Sequence, residues 1–152
     1  MPLKLQWVRQ KAYPDRPETL SGHLLKRRRQ SGLLQREVAT NLGVDTSTYL
    51  LWEKGRSQPT VRYYPAILRF LGYEPFAAPV TLPEQIAAQR RRLGLTLKEA
   101  SRMIGVDEST LQHWETGEWK PRMSKEAVRQ FLALPDLTEF QPGRANVPRK
   151  AE

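Results

Sequence analysis

Two stretches of the sequence place the same chemical groups at the same spacing. GVDTSTYLLWEKGRSQP spans 43–59, and GVDESTLQHWETGEWKP spans 105–121, sixty-two positions later. Each opens on Gly-Val-Asp, continues through Ser-Thr, and closes on Trp-Glu, a lone glycine and a proline. An aspartate followed by hydroxyls is hydrogen-bonding chemistry, suited to capping a helix and to meeting another polar surface. Bond-making chemistry is missing from the pattern. The two histidines, His23 and His113, stand far apart at non-equivalent positions of the two copies. No His/Glu pair has zinc-ligand spacing, no glycine-rich loop follows a strand, and no Gly-x-Ser-x-Gly occurs. The expectation is a non-enzymatic protein with no metal and no cofactor.

The chain has 152 residues and a formal net charge of +9. That length allows one ordinary domain or two small ones. The charge points to acidic partners, with nucleic acid ahead of a membrane surface. There is no cysteine, which rules out disulfides and thiolate metal sites and fits a reducing compartment. No apolar run approaches the length of a membrane span and the N-terminus lacks a signal-peptide core, so the expected location is the cytoplasm, at the nucleoid.

The elements that must carry these groups are repeated too. Leu20 aligned on Leu82 matches the halves without a gap to Pro59 and Pro121, with fifteen of forty pairs identical. Beyond the proline a one-residue deletion sets PAILRFLG (65–72) beside EAVRQFLA (126–133). Self-similarity of this kind marks tandem duplication. Each copy reads as short helices. In the first, a helix through Leu24, Leu25 and Arg28 ends at Gly32. A second, Gln35 to Leu42, puts Val38, Ala39 and Leu42 on one face. Gly43 ends it, Asp45 caps a third, and Gly55 stops that one. A last helix, about Thr60 to Leu71, is expected to supply Ile67, Phe70 and Leu71 to the core. Spacing from Tyr49 and Leu111 turns Trp52 and Trp114 inward, as core residues and not as a stacking platform. Trp119 falls in a loop, where backbone contact and local packing are both open. The expected organisation is an N-terminal arm (1–18, flexible), a first domain (19–72), a Pro-containing linker (73–80), a second domain (81–134) and a disordered tail (135–152).

Two short helices joined by a tight glycine turn, the second opening on a cap and small polar residues, form the helix-turn-helix pattern. RRRQSGLLQREVATNLGVDTSTYLLWEKGRSQP and QRRRLGLTLKEASRMIGVDESTLQHWETGEWKP together resemble the Cro/repressor-type (XRE-like) domains of bacterial and phage regulators. The resemblance implies an all-α fold of two tandem lambda-repressor-like helix-turn-helix domains, each a bundle of four to five short helices. It also implies structural ion pairs, Arg28 with Glu53 and Arg90 with Glu115. Base contacts fall by position to Thr46, Ser47, Leu50 and Leu51, and to Glu108, Ser109, Gln112 and His113. Phosphate contacts fall to Gln35, Lys54, Arg56 and Ser57, and to Thr96, Lys98, Lys120 and Arg122. Leu34 stands where the family has a capping hydroxyl, and Leu97 where it has glutamine. Leu50 and Leu51 cannot hydrogen-bond a base; a thymine-methyl contact, a protein contact and a place in the core are all open to them. Glu108 is repelled by phosphate, yet can accept from cytosine N4.

The function implied is a sequence-specific double-stranded DNA-binding transcriptional regulator. The third helix of each domain enters the major groove. An extended linker of about ten residues, at ~3.1 Å each, matches the ~34 Å between half-sites. The alternative is an antitoxin-like or adaptor module that keeps the fold and docks a protein partner or a second copy of itself. No membrane partner is expected.

Overall fold

The computed structural model describes residues 17–122 and 125–135. The expected flexible arm and disordered tail lie outside the described residues, apart from residues 17, 18 and 135. Among the described residues there are eight α-helices, one 3-10 turn and no strand. The helices are α1 (Leu20–Gln30), α2 (Gln35–Leu42), α3 (Thr46–Glu53), α4 (Tyr64–Leu71), α5 (Leu82–Leu93), α6 (Leu97–Ile104), α7 (Glu108–Glu115) and α8 (Lys125–Leu132); the 3-10 turn is Val61–Tyr63. No helix among them is long and apolar enough to cross a membrane.

Packing divides the chain between Gln58 and Pro59. In the first unit α3 packs on both α1 and α2. Leu24 from α1, Val38, Ala39 and Leu42 from α2, and Tyr49 and Trp52 from α3 are buried. Each large apolar side chain withdrawn from water in this way contributes about 1.5–3 kcal/mol.

The second unit has a core of Ile86, Ala100, Ile104, Leu111, Trp114, Val128 and Phe131. It joins α5, α6, α7 and α8. Helix α4 belongs to this unit as well, because it packs against α5. Its buried residues are Pro65, Ile67, Leu68 and Leu71. Leu68 takes the buried place expected for Phe70, which is half-buried. The chain leaving α4 is tied down too. Arg92 donates to Glu74 at 2.7 and 2.9 Å, Phe76 meets Tyr64 at 5.9 Å, and the Arg91 guanidinium lies 4.2 Å over the Phe76 ring. The first residues of the expected linker are therefore packed.

The bend between α6 and α7 rests on Gly105, whose φ of +85° is strained for any residue with a Cβ. Nothing lies within 4 Å of a Cβ added there. Gly94 ends α5 at φ +66°, and its added Cβ would meet Pro65 Cγ at 2.7 Å. Gly105→Ala is expected to cost only the left-handed penalty, about 1–2 kcal/mol. Gly94→Ala should cost more, since Pro65 must also move. Urea unfolding reads both as a lower midpoint at unchanged slope.

Candidate nucleic-acid interface

Helix α3 starts where Asp45 closes its N-terminus. The Asp45 carboxylate accepts from the Thr48 backbone N–H at 2.8 Å, the Thr48 hydroxyl at 2.7 Å and the Ser47 hydroxyl. Asp107 does the same for α7, accepting from the Thr110 N–H at 2.9 Å, the Thr110 hydroxyl at 2.7 Å and the Ser109 hydroxyl at 3.0 Å. The Ser47 and Thr48 donors hold the Asp45 carboxyl well below the ordinary carboxylate range. The Thr110 and Ser109 donors hold Asp107 down to about 2. Ser47 and Ser109 thus donate their hydroxyl protons to the cap and offer a partner their oxygen lone pairs.

The other end of each recognition helix is held by charge. Arg28 grips Glu53 through Nε and Nη2, both at 2.7 Å, and donates Nη1 to the Leu33 carbonyl at 3.1 Å. Arg90 grips Glu115 at 2.6 and 2.8 Å and donates to the Leu95 carbonyl at 3.2 Å. Side-chain exposure is 14% and 5% in the first pair, 17% and 11% in the second. One fork therefore joins the first helix, the following turn and the end of the recognition helix in each copy. Burial pushes the Glu53 carboxyl up, but the hydrogen bonds from Arg28, helped by the Gln35 amide, outweigh it, and the net shift is downward. The Tyr49 hydroxyl is buried beside this pair without a hydrogen bond of normal geometry, and burial followed by the Glu53 charge raises its pKa.

Gln35 is drawn into this scaffold, its amide donating to Glu53 at 3.1 Å. Leu97 holds the aligned place in the second copy and has no amide to give. The N-termini of α2 and α6 differ accordingly. Leu34 makes no side-chain cap, so Glu37 supplies only the reciprocal half by accepting the Leu34 N–H at 2.6 Å. Thr96 and Glu99 form a full capping box: Thr96 Oγ1 accepts the Glu99 N–H at 3.2 Å, and Glu99 accepts the Thr96 N–H at 2.8 Å. The Thr96 hydroxyl also donates to Glu99 at 2.8 Å.

The outward faces diverge. In the first copy Thr46, Ser47, Lys54 and Arg56 are exposed, Leu51 is 43% exposed, and Leu50 and Ser57 are half-buried. In the second, Glu108, Ser109, Gln112, Lys98, Lys120 and Arg122 are exposed, and His113 is half-buried. Trp119 stacks on the His113 ring at 4.1 Å with an interplanar angle of 26°. Glu118 meets His113 Nδ1 at 2.5 Å. The open question of Trp119 is thereby answered: it packs locally, on a side chain the sequence had marked as an outward contact. Three exposed aligned positions also exchange charge. Thr46, Lys54 and Arg56 sum to +2, while Glu108, Thr116 and Glu118 sum to −2.

Removing Glu53 strands Arg28 beside a buried wall. Glu53→Gln is therefore expected to cost about 3 kcal/mol, while Arg28→Met with Glu53→Leu together should cost much less. Urea unfolding of both variants checks this. Acid provides a second test. The depressed folded pKa values of Glu53 and Asp107 mean that the unfolded chain binds the extra protons, so stability rises with pH across this range. Their contribution is complete above the ordinary carboxyl pKa, about 4, and fades as pH falls toward about 2 for Asp107. Asp107→Asn should flatten the acid limb of the stability curve.

Comparison with known families agrees with this architecture. A helix-turn-helix model matches residues 24–76, and a second model, for a helix-turn-helix domain, matches residues 82–139. The first match runs past the packing division at Gln58, because kinship follows the repeat while α4 packs on α5. No curated protein and no solved structure matches the chain. Two tandem helix-turn-helix domains, the first of the XRE/Cro-like type, make this chain a member of the helix-turn-helix class of DNA-binding regulators.

Proposed function

We propose that the chain is a sequence-specific double-stranded DNA-binding transcriptional regulator, acting in the cytoplasm at the nucleoid, with α3 as its principal reading helix. One observation carries this reading. Helix α3 is fixed at both ends, by Asp45 and by the Arg28–Glu53 fork, and presents Thr46, Ser47 and Leu51 outward with exposed Lys54 and Arg56 just beyond its end. A rigid helix with small polar and methyl-bearing residues suits base edges in the major groove. Cations at its end suit the flanking phosphates. Lys98, Lys120 and Arg122 offer further phosphate contacts, and Gln112 a base contact, from the second copy.

A second reading applies to the second copy alone. Its reading face carries Glu108 and Glu118, and its His113 is stacked against Trp119. An acidic face with a packed aromatic suits a protein partner better than a phosphate backbone.

Selection from random-sequence duplex at low salt tests the first reading. Enrichment of one motif is expected, and failure to enrich any would sink it. Reversing Lys54 and Arg56 to Glu should weaken binding by about tenfold or more and flatten the salt dependence. Giving the second copy the residues of the first (Glu108→Thr, Thr116→Lys, Glu118→Arg) separates the two readings. A tighter complex with a steeper salt slope, by fluorescence anisotropy, means that acidic charge had held α7 off the duplex. Unchanged affinity means that α7 does not meet the duplex, as the second reading expects.

A further inference from the structure

The geometry points to a binding site in the second unit for a small amphiphilic anion, a molecule with an apolar body and a carboxylate-like head. The site is a groove of about 650 Å³ between the start of α5, the turn after α7, and α8. That volume falls in the range of small-molecule sites, roughly 300–1,000 Å³. Its floor is apolar, from Pro83, Val128 and Leu132, and the exposed Trp119 also lines it. Its rim is cationic, from Lys120, Arg122, Lys125 and Arg129. Arg129 forms an i,i+3 ion pair with Glu126 at 3.8 Å, but both side chains are exposed, so the pair is weak and a ligand can compete for the guanidinium.

The aligned residues of the first copy identify the feature as specific to the second. Trp119, Lys120, Arg122, Lys125 and Arg129 stand opposite Ser57, Gln58, Thr60, Tyr64 and Leu68, none of them charged. Four cations are thus collected beside one groove in the copy whose reading face is acidic. Phosphate contact alone explains the cations but leaves the apolar floor without a role. An amphiphilic anion uses both. Its head takes charge-assisted hydrogen bonds from the rim, and its body displaces water from the floor. The size of the groove fits a small molecule. The inference rests on this groove alone and does not depend on how either copy reads DNA.

Calorimetric titration of the full chain with decanoate, and separately with decyltrimethylammonium, tests it without DNA; both probes stay below their micelle concentrations. One saturable site for decanoate is expected, about tenfold or more tighter than for the cation of equal chain length. Lys125→Glu with Arg129→Glu should weaken decanoate by about tenfold, and Trp119→Ser by several-fold. All three positions lie on the surface, and circular dichroism melting confirms that the variants fold. Equal affinity for the two probes, several weak sites, or indifference to the variants would overturn the site. So would absent decanoate binding combined with weaker duplex binding by the charge-reversed variant, since the cations then serve phosphate only.

Discussion

An eight-residue helix in water is too short to hold itself together, since nucleation is costly and few hydrogen bonds repay it. The recognition helices α3 and α7 are both this short. They persist because each buries one face in its core and is fixed at both ends. An aspartate accepts the open N–H groups of its first turn, and its last residue is a glutamate gripped by an arginine from the first helix of its copy. The second anchor matters more. The fork takes an additional hydrogen bond to the Leu33 or Leu95 carbonyl, so three separate elements are set by one side chain. It adds to the hold of the buried Tyr49 and Trp52 in α3, and of Leu111 and Trp114 in α7, on the rest of each bundle.

The duplication divides along these lines. Residues kept in both copies (Gly43 and Gly105, Asp45 and Asp107, Trp52 and Trp114, and the Arg–Glu pairs) bend, cap, fill and tie the frame. Core positions differ in size, as at Tyr49 and Leu111 or Val38 and Ala100, while on the outward side of the third helix and the turn after it charge is redistributed. The second copy has acid on the outward side of α7 and the turn after it, and cations around the groove formed by α5, that turn and α8. A shared frame with a transposed surface accords with the proposal that the two copies take different ligands.

The frame could be read from the sequence because its signals are local. Glycines at bends, aspartates two and three residues before the hydroxyls they hold, and apolar residues three and four apart each report on neighbours within one turn. What was not legible depends on contacts across the fold. Gln35 donates to Glu53, eighteen residues away, and nothing in its local pattern says so. His113 occupies a position that looks outward by helical spacing, but the turn bearing Glu118 and Trp119 folds back over it. Helix α4 has the apolar face expected of it, yet that face packs on α5, a choice periodicity does not encode. The groove is invisible in the sequence because its walls come from residues 82 to 132. One trace of it was available: four cations and a tryptophan opposite uncharged residues of the first copy.

The most direct measurement is dimethyl sulfate footprinting of the full chain on its selected duplex, because guanine N7 lies in the major groove and adenine N3 in the minor. Insertion of α3 into the major groove predicts N7 protection over one face of the site, with adenine N3 still reactive. Unprotected N7 positions, or protection confined to adenine N3, would contradict it.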